Sequence, residues 1–284
     1  MGQKIRINPL DVLLWNRRHS GRDIIKIYTK FAPLMQIGAD TRMLNFGLWD
    51  GTSSLPDAQK EMTRYISEFG DFANARKILD VGSGFCVPAR IWKEKFQHLE
   101  IYCLDLNFDQ LNHESKTGIL EPLNSSSNYV PFSDGVFDRV IALESAQHFT
   151  HLEEFFAESK RVLSDNGTLV IAMPITENSG LLPLKLGILN ITWISKKYSK
   201  NRILQCARKT GFVVERQESV GDLVYQPFAN YYMENRGVLK QKLESTYSHN
   251  LERLVYDSMK KMGCLSEKKV IDYLLIILKK DVRA

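Results

Sequence analysis

The chain has 284 residues, 38 Lys and Arg against 33 Asp and Glu, four Cys and 44% hydrophobic residues. That apolar content excludes a disordered tail protein, and four Cys over this length exclude a disulfide-stapled scaffold. A net charge of +5 with no basic stripe speaks against a dedicated nucleic-acid binder and fits a soluble globular protein of one large domain or two small ones.

The first residues, MGQKIRINPL, lack the apolar run of a secretory signal, and Arg6 stands where a myristoylation motif wants Ser or Thr. Apolar residues then recur at helical spacing over 9–37, with Gly21 and Pro33 breaking the run into pieces. Met43-Leu44-Asn45-Phe46-Gly47-Leu48-Trp49 reads as a loop rich in large side chains. Pro56 opens a helix that runs to about Phe69, with Gly70 as its stop.

From residue 76 strands alternate with helices. Lys77-Ile78-Leu79-Asp80-Val81 is a strand ending in Gly82-Ser83-Gly84, followed by a helix over about 87–96. A second strand over 99–104 ends at Asp105, and a helix follows over about 108–116. FDRVIAL (137–143) is a strand, 151–163 a helix and GTLVIAMPI (167–175) another strand. This alternation implies a parallel sheet with helices on both faces. The stretch 181–194 is apolar but contains Pro183 and Lys185 and is too short to span a bilayer, so a buried or interfacial loop-helix is expected there. Residues 199–210 read as a helix stopped by Gly211, 212–220 as a strand, 221–265 as a polar, largely helical insertion and VIDYLLIILK (270–279) as the last strand. Cys86, Cys103, Cys206 and Cys264 show no metal-ligand spacing, and a reduced, cytoplasmic setting is the simplest reading.

The glycine loop carries the first chemical signal. Gly residues between a strand and a helix allow a tight turn and close approach of a ligand to the main chain, and the helix start behind them offers unpaired N–H groups. A carboxylate ending the next strand, here Asp105, can accept both hydroxyls of a ribose. A dinucleotide site wants a third Gly where Val87 stands. An S-adenosylmethionine site needs no pyrophosphate cradle, and the acidic Asp80 ahead of the glycines suits its cationic ligand.

On these residues the sequence resembles the class I S-adenosylmethionine-dependent methyltransferases. ILDVGSGFC (78–86) resembles their D-x-G-x-G motif, with Cys86 where many members carry another Gly. VPFSDGVFDRV (130–140) and RVLSDNGTL (161–169) resemble the runs before their fourth and fifth strands. MLNFGLW (43–49) and ALESAQHF (142–149) resemble segments of the small-molecule subgroup, which includes tocopherol, sarcosine/dimethylglycine and natural-product tailoring enzymes. The resemblance implies an α/β, Rossmann-like sheet of seven strands with the last antiparallel. It implies one methyltransferase domain, with 1–70 as a helical cap, 71–220 and 266–284 as the cofactor-binding core and 221–265 as a substrate cap.

It also implies S-adenosylmethionine as cofactor, held by Asp80, Gly82, Ser83, Gly84, Asp105, Leu106, Leu143 and Tyr28. Ser126 or Ser127 stands where the family often has an adenine-binding Asp, and Ser127 is expected among the cofactor-binding residues. His148, after the fourth strand at the ligand-bearing sheet edge, is the expected general base, since an imidazole with a pKa near about 6.5 accepts a proton at neutral pH; His151 is a weaker second. Glu144 is expected near the methionine end of the cofactor, orienting a catalytic group. Tyr28, Phe46 and Trp49 are expected as a lid, and Trp49, His148, Trp193 and Tyr225 as acceptor contacts. Ala172-Met173-Pro174 offers no carboxylate after the fifth strand, so no metal is expected. The implied activity is methylation of a small molecule at oxygen, as in a natural product or a lipid- or sugar-like metabolite. Methylation at carbon or nitrogen and a non-catalytic cofactor-binding protein are the alternatives. The expected state is a monomer or homodimer without nucleic-acid partners or stable membrane insertion.

Overall fold

The computed structural model describes residues 21–36, 41–112, 118–177, 198–247 and 249–281. Its strands form one seven-stranded sheet in the order β3-β2-β1-β4-β5-β7-β6. They are β1 Lys77–Val81, β2 Glu100–Asp105, β3 Glu121–Asn124, β4 Phe137–Leu143, β5 Leu163–Thr176, β6 Phe212–Ser219 and β7 Ile271–Lys280. β1 pairs in parallel with β2 and with β4, while β7 pairs antiparallel with β5, from Thr168↔Lys279 to Thr176↔Ile271, and with β6. The chain reverses its direction of travel across the sheet between β1 and β4, and that switch point opens a crevice at the carboxyl ends of the strands.

Continuous apolar runs form the central strands because helices cover both faces. The helices are α1 Gly21–Gln36, α2 Leu55–Phe69, α3 Val87–Lys95, α4 Phe108–Leu111, α5 Leu152–Val162, α6 Lys200–Lys209, α7 Tyr225–Glu234, α8 Arg236–Thr246 and α9 His249–Glu267. One core cluster joins the sheet to α2, α3 and α7–α9, and a second joins its other face to α5 and α6. The Trp92 indole N–H donates to the Thr63 carbonyl at 2.8 Å and fastens α3 to α2. Cys86, Cys103 and Cys206 are buried in these clusters, whereas Cys264 is exposed.

Three boundaries depart from the sequence reading. The third strand was not located there: Glu121–Asn124 has four residues, includes Pro122 and is half-exposed at the sheet edge, so it lacks an apolar signature. β5 starts at Leu163, directly after α5, rather than at 167. The helix expected over 108–116 is described for Phe108–Leu111, and its remainder falls largely outside the described residues, as do 1–20 and the 181–194 stretch.

The 43–49 segment is a loop, as expected, but its residues from Asn45 to Trp49 are all buried. Gln59 of α2 donates its side-chain amide to the carbonyls of Met43 at 3.2 Å and Asn45 at 2.7 Å, and the Leu48 N–H donates to the Ala58 carbonyl at 2.9 Å. Gly47 sits between them at φ +81, where an added Cβ would stand 2.7 Å from the Ala58 Cβ. Gly47→Ala combines left-handed strain with overlap against a helix backbone that cannot yield. It is expected to cost at least about 2 kcal/mol in urea unfolding, whereas a loop free of α2 would lose far less.

Candidate active site

The crevice holds a cavity of about 400 Å³, the size class of a small-molecule or cofactor site. Its floor is the β1–α3 turn. Gly82 and Ser83 donate their N–H groups to the Leu104 carbonyl at 2.7 and 3.2 Å, which turns the chain back over β2. Gly82 is at φ +77, and a Cβ there would overlap Ser145, whose hydroxyl donates to the Val81 carbonyl at 2.6 Å. Only a residue without a side chain fits this turn. Cys86 caps α3 at φ +55, a left-handed conformation that a non-glycine residue holds under strain.

Asp105 ends β2 beside this turn. One carboxylate oxygen accepts the Gly84 N–H at 2.8 Å and the other the Asn107 N–H at 2.8 Å. Burial pushes the carboxyl above its ordinary range, and the N–H groups of Asn107, Gly84 and Leu106 oppose that rise. Three N–H donors on two carboxylate oxygens still leave acceptor capacity, since a carboxylate offers about four lone-pair sites.

At the far end, β4 runs into Glu144, which takes φ +49. Its Oε1 accepts the Phe46 N–H and the Tyr273 hydroxyl, each at 3.0 Å. Burial pushes this carboxyl up to about 8 despite both donors. His148 follows in a short 3-10 turn, Ala146–His148, and is buried. Its Nε2 lies 2.6 Å from the Tyr28 hydroxyl, with the rings edge-to-face at 5.2 Å. Burial, and then the negative charges of Glu144 and Asp105, push the Tyr28 phenol far above its usual value. Tyr28 therefore keeps its proton and can donate it to His148, and in that tautomer Nε2 is the lone-pair nitrogen of the imidazole. α1 runs along the cavity from Gly21, against Leu106, to Tyr28, against His148.

The structure gathers Tyr28, Gly82, Ser83, Gly84, Asp105, Leu106, Ser127, Leu143, Glu144 and His148 around this one cavity; exposed His151 lies at its rim. Three expected residues are not on its wall. Asp80 is buried within β1, where burial and the charge of Asp105 push its carboxyl up to about 8. Trp49 packs with Leu55, Ala58, Phe228 and Tyr231 and donates its indole N–H to the Phe46 carbonyl at 3.0 Å. Tyr225 is fully buried, packs edge-on against Phe46 and donates to the Asp272 carbonyl at 3.2 Å. The acceptor contacts expected of Trp49 and Tyr225 are corrected accordingly: both rings lie behind Phe46, not on the cavity wall. Trp193 lies outside the described residues.

Sequence reasoning missed Asn45 and Tyr273. Asn45 lines the cavity, its side-chain carbonyl accepts the Gly47 N–H at 3.0 Å, and its buried Nδ2 has no hydrogen-bond partner among the described residues. A buried donor left unpaired beside a cavity is a position for a ligand acceptor. The resemblance implies S-adenosylmethionine, and the residues fit it. Glu144 and Asp105 on the wall and Asp80 behind it suit a ligand carrying sulfonium and ammonium charges, Asn45 Nδ2 suits its carboxylate, and Asp105 has acceptor capacity for its ribose. Among the described residues no group of three or more His, Cys, Asp or Glu could hold a metal ion, and no helix is long and apolar enough to cross a membrane.

Residues 79–171 match a family model described as a methyltransferase domain. The chain is 24% identical to erythromycin 3''-O-methyltransferase of Saccharopolyspora erythraea over 94% of its own length and 93% of that protein. It is 26% identical to phosphoethanolamine N-methyltransferase 2 of Caenorhabditis elegans, over 66% of this chain and 43% of that one. Among solved structures, a putative sarcosine dimethylglycine methyltransferase from Galdieria sulphuraria superposes with a TM-score of 0.72 at 17% identity, covering 92% of this chain and 98% of that one. A cyclopropane synthase from Mycobacterium tuberculosis gives 0.76 at 16% identity, with the same coverage of 92% and 98%.

Proposed function

Because this chain is a class I S-adenosylmethionine-dependent methyltransferase acting on a small molecule, we propose that the acceptor atom is a hydroxyl oxygen of a natural product or a lipid- or sugar-like metabolite. The observation that carries this reading is the Tyr28–His148 contact on the cavity wall. A hydroxyl must lose its proton to become a good nucleophile. His148 Nε2 offers a basic lone pair that it can reach directly or through the Tyr28 phenol. The similarity to an O-methyltransferase over nearly the whole of both chains supports the same choice.

In this reading S-adenosylmethionine supplies a methyl group already activated by the sulfonium. The chain's own residues bind, align and exclude water. Asp105 accepts the two ribose hydroxyls, and the Gly82–Gly84 turn lets the ligand lie against the main chain. Asn45 Nδ2 donates to the carboxylate of the amino-acid end, and Glu144 faces the positive end. Leu106 and Ser127 flank the adenine. α1 covers the site, bringing Tyr28 over the acceptor position. The described parts of the 1–70 and 221–265 segments act as caps on a single catalytic domain and carry its acceptor specificity.

Methylation at nitrogen or carbon is the competing reading, because the similar proteins include a phosphoethanolamine N-methyltransferase and cyclopropane synthases. Trideuteromethyl S-adenosylmethionine, offered with matched panels of alcohols, amines and activated carbon nucleophiles, separates the two by mass spectrometry. Label on oxygen is the expected result. Label confined to nitrogen or carbon rejects the proposal.

A further inference from the structure

Four separate elements converge on Glu144. The Phe46 N–H comes from the 43–49 loop and the Tyr273 hydroxyl from β7, both to Oε1 at 3.0 Å. The Glu144 N–H donates to the Ala172 carbonyl of β5 at 2.8 Å, and its carbonyl accepts the Gln147 side chain at 2.7 Å. A non-glycine residue persists at φ +49 only where its surroundings impose that conformation. Asp272 Oδ1 accepts the N–H groups of Gly221 at 3.0 Å and Tyr273 at 2.7 Å, which fixes the backbone from which the Tyr273 ring projects. Tyr273 is fully buried, so its hydroxyl has little freedom to turn elsewhere.

We propose that Tyr273 is a positioning residue, whose hydroxyl holds the Glu144 carboxyl at the cavity wall in the orientation that faces the cationic methyl donor. The inference rests on the reading that this cavity takes S-adenosylmethionine. A hydrogen bond donated to an ionised carboxylate stabilises that form, and burial disfavours it. Glu144 is poised between the two, its burial opposed by the Phe46 N–H and the Tyr273 hydroxyl. Besides Tyr273, Tyr28 on α1 and Tyr225 on α7 feel its charge, and His148 after β4 and Asp105 at the end of β2 line the same cavity. Burial and the charge of Glu144 hold Tyr28, Tyr225 and Tyr273 well above their ordinary range, so all three stay neutral. Of these tyrosines, Tyr273 is the one whose hydroxyl reaches the Glu144 carboxyl.

The test is the affinity for S-adenosylmethionine, followed by calorimetry across pH, with S-adenosylhomocysteine as the comparison that lacks the sulfonium charge. In the wild type the affinity for the cationic ligand rises with pH through the Glu144 range, about 8, and that for the comparison ligand rises less. Asp80, behind the wall, is also pushed up to about 8, so the Glu144 contribution is the part of the step that Glu144→Gln removes. Tyr273→Phe deletes one oxygen and leaves the Phe46 N–H in place, so the step moves upward by about one pH unit. Uniform 3-fluorotyrosine makes the phenol a stronger donor and moves the step downward in the wild type but not in Glu144→Gln. It decides the question should Tyr273→Phe not fold. An unmoved step in Tyr273→Phe with binding retained, or a fluorotyrosine shift that survives Glu144→Gln, overturns the role of Tyr273. Absence of binding at every pH overturns the assignment of the cavity instead.

Discussion

Asp105→Ala is expected to weaken S-adenosylmethionine binding by about a hundredfold or more, measured by isothermal titration calorimetry. Two ribose hydroxyls donating to one carboxylate are charge-assisted contacts of about 1.5–3 kcal/mol each, and losing both costs at least about two decades of affinity. The same change removes the acceptor of the Gly84 and Asn107 N–H groups, so Asp105→Asn is the cleaner companion. It keeps one acceptor oxygen and is expected to lose about tenfold.

Stability should move the other way. Burial raises the folded-state pKa of Asp105 above its ordinary value. Ionising this carboxyl is therefore harder in the ligand-free fold than in the unfolded chain. As pH rises through the ordinary carboxylate range, the unfolded chain ionises freely while the folded chain must ionise a buried acid, so this group lowers stability on the high-pH side. Asp105→Asn should melt at an equal or higher temperature than the wild type at pH 8 without ligand, although it binds less well. Weaker binding with a lower melting temperature would make Asp105 a structural brace, and unchanged affinity would remove the ribose assignment.

Much of the binding end of the site is legible from sequence because it is written locally. Strand, glycine turn and helix follow within a few residues, and the acid ending β2 lies one element further on. The missing elements depend on partners far away in the chain. Glu121–Asn124 becomes a strand only by pairing with β2, and its own residues carry no alternation. The ring of Trp49 could line a pocket or back it. The choice was made by its indole N–H, which finds the Phe46 carbonyl and turns the ring toward Phe228 and Tyr231. Tyr225 is settled likewise by the Asp272 carbonyl of β7. Tyr273 reads in sequence as one more apolar strand residue, and its hydroxyl acquires meaning only when β7 inserts beside β5 and meets Glu144 129 positions earlier. The Asn45 amide is of the same kind, since its orphaned nitrogen appears only once the loop folds over α2. Site features that arise from a backbone pattern are visible early, and those that arise from a contact between elements are not.

His148→Ala is expected to lower turnover by about 10²–10⁴-fold, the range for loss of a positioned general base, while S-adenosylmethionine affinity stays within about twofold of the wild type. Tyr28→Phe keeps the imidazole and removes the donor at 2.6 Å, so its loss should be smaller, about tenfold. If phenol and imidazole pass one proton as a unit, the double variant is no slower than His148→Ala alone, because effects within one unit do not add. Additive losses would mean that Tyr28 shapes the site independently of the base. The pH response of His148→Ala then reports on the acceptor. Deprotonation by solvent replaces the missing base only when the acceptor itself ionises within the accessible range. Rescue as pH rises therefore indicates an acidic hydroxyl such as a phenol, and a flat, low rate indicates an alcohol. Wild-type turnover in His148→Ala would place the proton elsewhere and make Glu144, whose carboxyl is poised at about 8, the next candidate base.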